Sequence, residues 1–196
     1  MQQYLQKVAR ALCILALPAC ITSTDDDVTI QPAIEDDSIY VSAYNKATSQ
    51  YEVINNFETK YIIQTTLLSS AFREAFASRY QSLYNEPQPV LNEASQKTGF
   101  FVSIYTADDE LKNLADNSLW NIQLIKSNKT LKPVKVEKLR EKTRWRPFFK
   151  GISPWSEEYL VLFDTPAPNT GDQDLVYQNK AKLVFSNQDG RVTVSW

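Results

Sequence analysis

The chain has 196 residues, of which 43% are hydrophobic and 12% aromatic, and its formal net charge is −2. This composition is typical of a globular protein and not of a disordered one. Histidine is absent from the sequence, which excludes Ser-His-Asp and Cys-His catalysis, histidine general bases and histidine metal ligands.

The first 20 residues have the pattern of a secretory signal. Lys7 and Arg10 supply positive charge, and residues 11–19 form an apolar stretch. This stretch is shorter than the about 20 residues that a membrane-spanning helix needs, and it ends in small residues, as a cleavage site requires. Cys20 follows directly, in the sequence Leu-Pro-Ala-Cys. The arrangement resembles the lipobox of bacterial lipoproteins.

The resemblance implies that the chain is cut before Cys20, which is acylated and becomes the mature N-terminus, so that the protein is anchored to a membrane. Ile21 and not Asp follows the cysteine, which by similarity to enterobacterial sorting favours the outer membrane. Ordinary secretion with cleavage nearby and an uncleaved anchor are the alternatives. After cleavage Cys20 is the only cysteine, so we expect no disulfide within the chain, no metal site built on cysteine and no cofactor.

Residues 20–38 are predicted to form an acidic tether. Asp25–Asp27 and Glu35–Asp37 lie on either side of Pro32, and a segment of low hydrophobicity with self-repelling charge does not fold on its own. A flexible linker of this length spans roughly 25 Å. Residues 39–196 then form one domain, since this length suffices for one core.

The domain begins with β-prone sequence. Ile39–Val41 and Tyr51–Ile54 predict short strands, and residues 57–68 predict a long strand because they are rich in β-branched and aromatic residues.

A helix is predicted next, capped by Ser69 or Ser70 and extending to Asn85. Its aromatic residues recur at helical spacing, which indicates a face turned towards the core; they are Phe72, Phe76 and Tyr80.

The rest of the chain is mainly of strand type. Residues 108–116 predict a short helix or turn with Leu111 and Leu114 directed inward. Asn187–Gly190 predicts a hairpin loop. The last strand follows this loop and is expected to be fixed by Trp196. The remaining predicted strands are 99–105, 119–125, 134–136, 159–163, 182–185 and 192–196.

Six to eight strands with turn signals, one clear helix and no alternation of strands and helices predict an antiparallel β-sandwich. An immunoglobulin-like topology is the first choice. The helix is expected to pack on one end of the sandwich or to be inserted between early strands.

Charge is distributed unevenly. Residues 126–150 contain ten basic and two acidic residues, a net charge of +8, whereas the rest of the mature chain contains nine basic and 21 acidic residues. One interpretation is a charged edge strand that prevents sheets from associating. The other is a patch for an anionic ligand such as lipopolysaccharide phosphates or acidic glycans, with nucleic acid not expected.

The most unusual part of the domain is the loop 144–155, which combines arginine and tryptophan with two prolines and a glycine. Tryptophan and arginine dominate binding hot spots, so the loop is a candidate contact site for a partner protein or an anionic polymer; its candidate residues are Arg144, Trp145, Arg146, Lys150 and Trp155. In the alternative interpretation its aromatic side chains fill the open end of the sandwich, and its arginines pair with Glu157 and Glu158.

Carboxylates are the remaining candidates for acid–base catalysis; they are Asp108, Asp109, Glu157, Glu158, Asp172 and Asp174. Glycoside hydrolysis needs two carboxyl groups about 5–10 Å apart across a cleft, and no spacing here predicts such a pair.

The sequence therefore favours a lipid-anchored, non-catalytic binding or scaffolding protein that contacts envelope proteins or anionic glycans. The alternative is a surface-exposed hydrolase with paired carboxylates. A third hypothesis is a structural subunit that adds a strand to a partner, which requires an uncovered and uncharged sheet edge.

Overall fold

The structure is a computed structural model that describes residues 37–88, 90–126, 129–165 and 181–196. A 3₁₀-helical turn spans Val90–Ser95. The helices and strands of the described part are α1 Ser38–Ala47, β1 Thr48–Asn55, β2 Glu58–Leu67, α2 Ser70–Tyr84, β3 Thr98–Thr106, β4 Asn121–Lys126, β5 Lys129–Leu131, β6 Lys135–Lys138, α3 Lys142–Trp145, β7 Ser156–Phe163, β8 Ala181–Ser186 and β9 Arg191–Ser195.

The strands form two antiparallel sheets. One sheet has the order β1-β2-β3-β7-β6, and the other has the order β5-β4-β8-β9. From β2 onward this order matches the A-B-E-D and C′-C-F-G sheets of an immunoglobulin-type sandwich. Strand β1 is an addition at the edge, and α2 is inserted between the first two strands of that pattern. The predicted antiparallel sandwich is confirmed.

The inner core lies between the two sheets. Along β2, Tyr61 and Ile63 are fully buried, whereas Ile62 and Gln64 are only partly buried, as expected where alternate side chains point to one face. The indole N–H of buried Trp120 donates to the Leu111 carbonyl oxygen at 3.0 Å. The inward direction predicted for Leu111 and Leu114 is confirmed.

The outer core lies on the opposite face of the five-stranded sheet, beneath α1, α2 and the connection between β6 and β7. Strand residues such as Phe101 and Leu160 form its floor. The fully or nearly fully buried aromatic residues of the outer core are Tyr40, Tyr44, Phe72, Phe76, Tyr80, Phe101, Trp145, Phe148 and Phe149. The domain thus has three layers, of which the sequence predicted two.

Helix α2 begins and ends as its sequence predicts. The Ser69 hydroxyl accepts a hydrogen bond from the Phe72 N–H at 3.3 Å. At the other end Asn85 adopts a left-handed conformation with φ of 53°, and its N–H donates to the Gln81 carbonyl oxygen at 2.8 Å. Both features are ordinary helix caps.

The strand predicted over Ile39–Val41 is wrong, because these residues belong to α1. Tyr40, Tyr44 and Ala47 are buried at helical spacing, so burial of one helical face outweighs the local preference for a strand. Asp37 caps the helix, its carboxylate accepting from the Tyr40 N–H at 2.9 Å. The last two residues assigned to the tether are therefore part of the first helix and its cap.

The C-terminal hairpin is confirmed. The Asn187 side chain accepts hydrogen bonds from the N–H groups of Asp189 and Gly190, both at 3.0 Å, which closes the loop between β8 and β9. Trp196 is buried, and its indole N–H donates to the Ala47 carbonyl oxygen at 2.9 Å. The last side chain is therefore bonded to the junction of α1 and β1.

Candidate contact site

The connection between β6 and β7 crosses the outer face of the five-stranded sheet. Its midpoint approaches β2 and β3 so closely that a Cβ on Gly151 would lie 2.4 Å from Gln64 Oε1. At this short distance the Gly151 N–H donates to Gln64 Oε1 at 2.8 Å. The Gly151 carbonyl oxygen accepts from the Ser103 hydroxyl at 3.0 Å. Any larger residue here would require the Gln64 side chain to move.

The aromatic half of this connection is buried. Trp145 is 4% exposed, and Phe148 and Phe149 are fully buried. The Phe149 ring stacks on Phe101 with ring centroids 3.6 Å apart and planes 5° apart. The indole N–H of Trp145 donates to the Arg140 carbonyl oxygen at 2.8 Å. These side chains fill the outer core and not the open end of the sandwich, and Trp145 does not lie on a contact surface.

Arg144 attaches the connection to the end of α2. Its guanidinium lies over the rings of Tyr80 and Tyr84, at 5.5 and 5.2 Å from their centroids. It forms ion pairs with Glu86 and with Glu141. The arginine therefore pairs with acidic groups other than the Glu157 and Glu158 considered in the sequence.

Trp155 is the exposed aromatic residue of the connection, with 67% of its surface accessible. The backbone beneath it is fixed, because the Ser153 N–H donates to the Ser156 hydroxyl at 2.8 Å and the Trp155 N–H donates to the Ser153 hydroxyl at 3.3 Å. Arg146 and Lys150 are also exposed, and neither has an ion-pair partner among the described residues.

Tyr105 is a neighbouring residue that the sequence interpretation missed. It is 39% exposed on β3 and is the register partner of Ser156, the residue after Trp155. The outward positions of β3 alternate through Phe101, Ser103 and Tyr105, so strand periodicity was the signal for it. We define the contact site as Trp155, Tyr105, Arg146 and Lys150.

Much of the positive charge in residues 126–150 is neutralised locally. Lys135 pairs with Glu93 and Glu137, both at 2.8 Å, and Lys138 pairs with Glu157 at 3.0 Å. The charge available to an anionic ligand is therefore smaller than the net charge of the segment suggests.

The adjacent carboxylates on β7 have different surroundings. Glu157 pairs with Lys138 and is partly exposed. Glu158 is 1% exposed, accepts a hydrogen bond from the Ser156 hydroxyl at 2.6 Å and lies 3.7 Å from the Lys142 ammonium. Burial raises the pKa of the Glu158 carboxyl above its ordinary value.

The other predicted carboxylates give no facing pair in the described part of the chain. Asp109 pairs with Lys112 at 2.6 Å in the turn after β3, where Asp108 also lies. Asp172 and Asp174 lie outside the described residues, as does Cys20.

In residues 37–88, 90–126, 129–165 and 181–196, no cluster of acidic residues or cysteines is arranged to hold a metal ion. No helix within these ranges is both long enough and apolar enough to cross a membrane.

No protein-family model matches the chain, and searches of curated proteins and of solved structures found no similar protein.

Proposed function

We propose that this protein is a lipid-anchored protein of the bacterial cell envelope, in the outer membrane, that binds an anionic glycan without catalysing a reaction. The contact site is the binding surface. One observation carries the proposal: Trp155 presents an indole that is 67% exposed on a backbone held by Ser153 and Ser156, within a connection whose other aromatic side chains are buried.

The chemistry of the contact site favours a sugar with acidic groups. An exposed indole on a backbone held by hydrogen bonds offers a flat apolar surface at little entropic cost, and Tyr105 is an exposed aromatic residue on the neighbouring strand β3. The cations of Arg146 and Lys150 have no carboxylate partner in the described part of the chain, so they are available to acidic groups. Binding of this type weakens as salt rises, because exposed charges are screened.

The binding test uses envelope glycans immobilised on a surface and the purified protein. We expect Trp155→Ala to lower the affinity by at least about tenfold, since a central aromatic contact contributes about 2 kcal/mol. The double variant R146A/K150A should lower it less and should reduce the salt dependence. Arg144 is left unchanged because it attaches the connection to α2.

Phe57→Ala is the matched control, since Phe57 is a fully exposed aromatic residue in the turn between β1 and β2. The proposal fails if Trp155→Ala and Phe57→Ala bind envelope glycans equally well across salt concentrations.

Membrane attachment is tested separately at Cys20. We expect labelled palmitate to be incorporated into the parent chain but not into Cys20→Ser, and we expect the variant to leave the membrane fraction. Equal sedimentation of both proteins with membranes would refute the lipid anchor while leaving the glycan site open to its own test.

Strand addition to a partner is a second candidate function, and it is favoured by the edge strand β1. Glu52 is the only charged residue among its eight, and most of the strand is exposed. An edge strand with little charge can pair with an extended segment of another protein. A lysine at the exposed position Ile54 should block such capture, whereas Trp155→Ala should not; the reverse result would support the contact site instead.

A further inference from the structure

A cleft lies on the side of α2 that faces away from the outer core. One wall is the helix, with Arg73 and Glu74, and the other is the segment that returns beside it, with Pro87 and Gln88. The cleft has a volume of about 420 Å³. This side of the helix is separate from the aromatic stripe Phe72, Phe76 and Tyr80, so the cleft is independent of the contact site.

Arg73 is held in this wall by one edge of its guanidinium. Its Nη1 donates to the Ala94 carbonyl oxygen at 2.7 Å. Its Nε–H is buried and has no acceptor among the described residues. On the guanidinium edge formed by Nε and Nη2, the Nε–H therefore makes no hydrogen bond to the described part of the chain.

Gln88 adds a second donor to the same cleft. The residue is 8% exposed, and its side-chain Nε2 is buried without an acceptor in the described part of the chain. A buried donor without an acceptor destabilises a fold, and native proteins contain few of them. Both residues line the cleft, so a ligand bound there can supply the acceptor that the described part of the fold does not.

We infer that this cleft binds a carboxylate group, whose oxygens accept hydrogen bonds from the Nε–H and Nη2–H groups of Arg73 and from the side-chain NH₂ of Gln88. A guanidinium edge matches the two oxygens of a planar carboxylate. Glu74 is exposed on the helical wall, and its charge repels a doubly charged phosphate more than a singly charged carboxylate. The carboxylate belongs either to an acidic sugar or to the C-terminus of a peptide.

The test follows the side-chain N–H signals of Arg73 and Gln88 by NMR in the ¹⁵N-labelled full-length protein. The two probes are sodium glucuronate for an acidic sugar and N-acetylglycine for a peptide C-terminus. Glucose and N-acetylglycinamide are the matched uncharged compounds. We expect both signals to shift saturably with at least one acid, and the acid that binds more tightly identifies the source of the carboxylate.

Arg73→Lys keeps the charge but loses the planar edge, so we expect its affinity to fall at least about tenfold. Gln88→Leu should lower the affinity by roughly fivefold. Arg191→Lys is the control, because Arg191 is an exposed arginine on β9 outside the cleft and the contact site, and it should bind as the parent does. The shifts in the parent protein test the inference even if Arg73→Lys does not fold.

Three results would overturn the inference. In the first, neither acid gives a saturable shift up to roughly 50 mM, where even one charged hydrogen bond would be detected. In the second, the uncharged compounds shift the signals equally. In the third, Arg73→Lys and Gln88→Leu both bind with the affinity of the parent.

Discussion

The inner and outer cores differ in how they are built, although both are rich in aromatic side chains. The inner core consists mainly of alternate side chains from facing strands. The outer core combines one strand face with two helices and an irregular connection. A strand that is buried on both faces, such as β3, belongs to both cores. The comparison shows that the five-stranded sheet is the central layer of this domain and not one of its two outer layers.

The largest expected effect tests whether the outer core stabilises the fold as much as the inner core does. Phe149 and Phe100 are both fully buried, so each change to alanine should lower the free energy of unfolding by about 3–5 kcal/mol. Urea denaturation measures both losses. A loss below about 1 kcal/mol for Phe149→Ala alone would mean that the outer layer is only loosely attached.

A smaller effect is expected where the connection approaches the sheet. Gly151→Ala places a Cβ against Gln64 and should lower stability by about 1–2 kcal/mol, because Gln64 must move and two of its hydrogen bonds weaken. Gly190→Ala is the control, since its Cβ would meet Val53 at 3.1 Å. If Gly151→Ala is no less stable than the parent in urea denaturation, the close approach of the connection is wrong.

Variants of Arg144 and Arg146 distinguish a residue that attaches the outer core from a residue that contacts the ligand. Arg144→Ala removes a half-buried ion pair and contacts with two rings, so thermal unfolding should show a loss of about 1 kcal/mol. Arg146→Ala should change stability by less than about 0.5 kcal/mol. Equal losses for the two variants would contradict the distinct roles assigned to them.

The smallest effect on stability is expected at Trp155. Its indole is exposed, so Trp155→Ala should change the free energy of unfolding by less than about 0.5 kcal/mol while it lowers binding. A loss of several kcal/mol in urea denaturation would instead assign Trp155 to the outer core.

The sequence predicted the inner core well because strand periodicity is a local signal. The residues Ile122 and Leu124 alternate with polar neighbours and are buried in the structure, and the hairpin at Asn187–Gly190 has its own turn chemistry. The outer core was missed because no local pattern reveals that a connection folds back over a sheet. Ile39–Val41 was misread for the same reason, since its helical face is defined by contact with distant residues such as Phe148.

The candidate site was predictable in part. Composition singled out the loop 144–155, but only tertiary structure separates Trp145, which is buried, from Trp155, which is exposed. A loop has no periodicity from which the exposure of each side chain follows. The cleft at Arg73 gave no signal, because it depends on a segment returning beside α2. Lipidation of Cys20 stays a prediction.

Helix α1 continues directly into β1 without a linker, which has a mechanical consequence for a protein that is tethered at its N-terminal side. A pulling force transmitted along the chain reaches α1 before it reaches any strand. The contacts that resist it include the Asp37–Arg79 ion pair at 3.5 Å and the hydrogen bond from the Tyr40 hydroxyl to the Phe148 carbonyl oxygen at 2.6 Å. In the proposed lipid-anchored protein we therefore expect α1 to detach before the strands do.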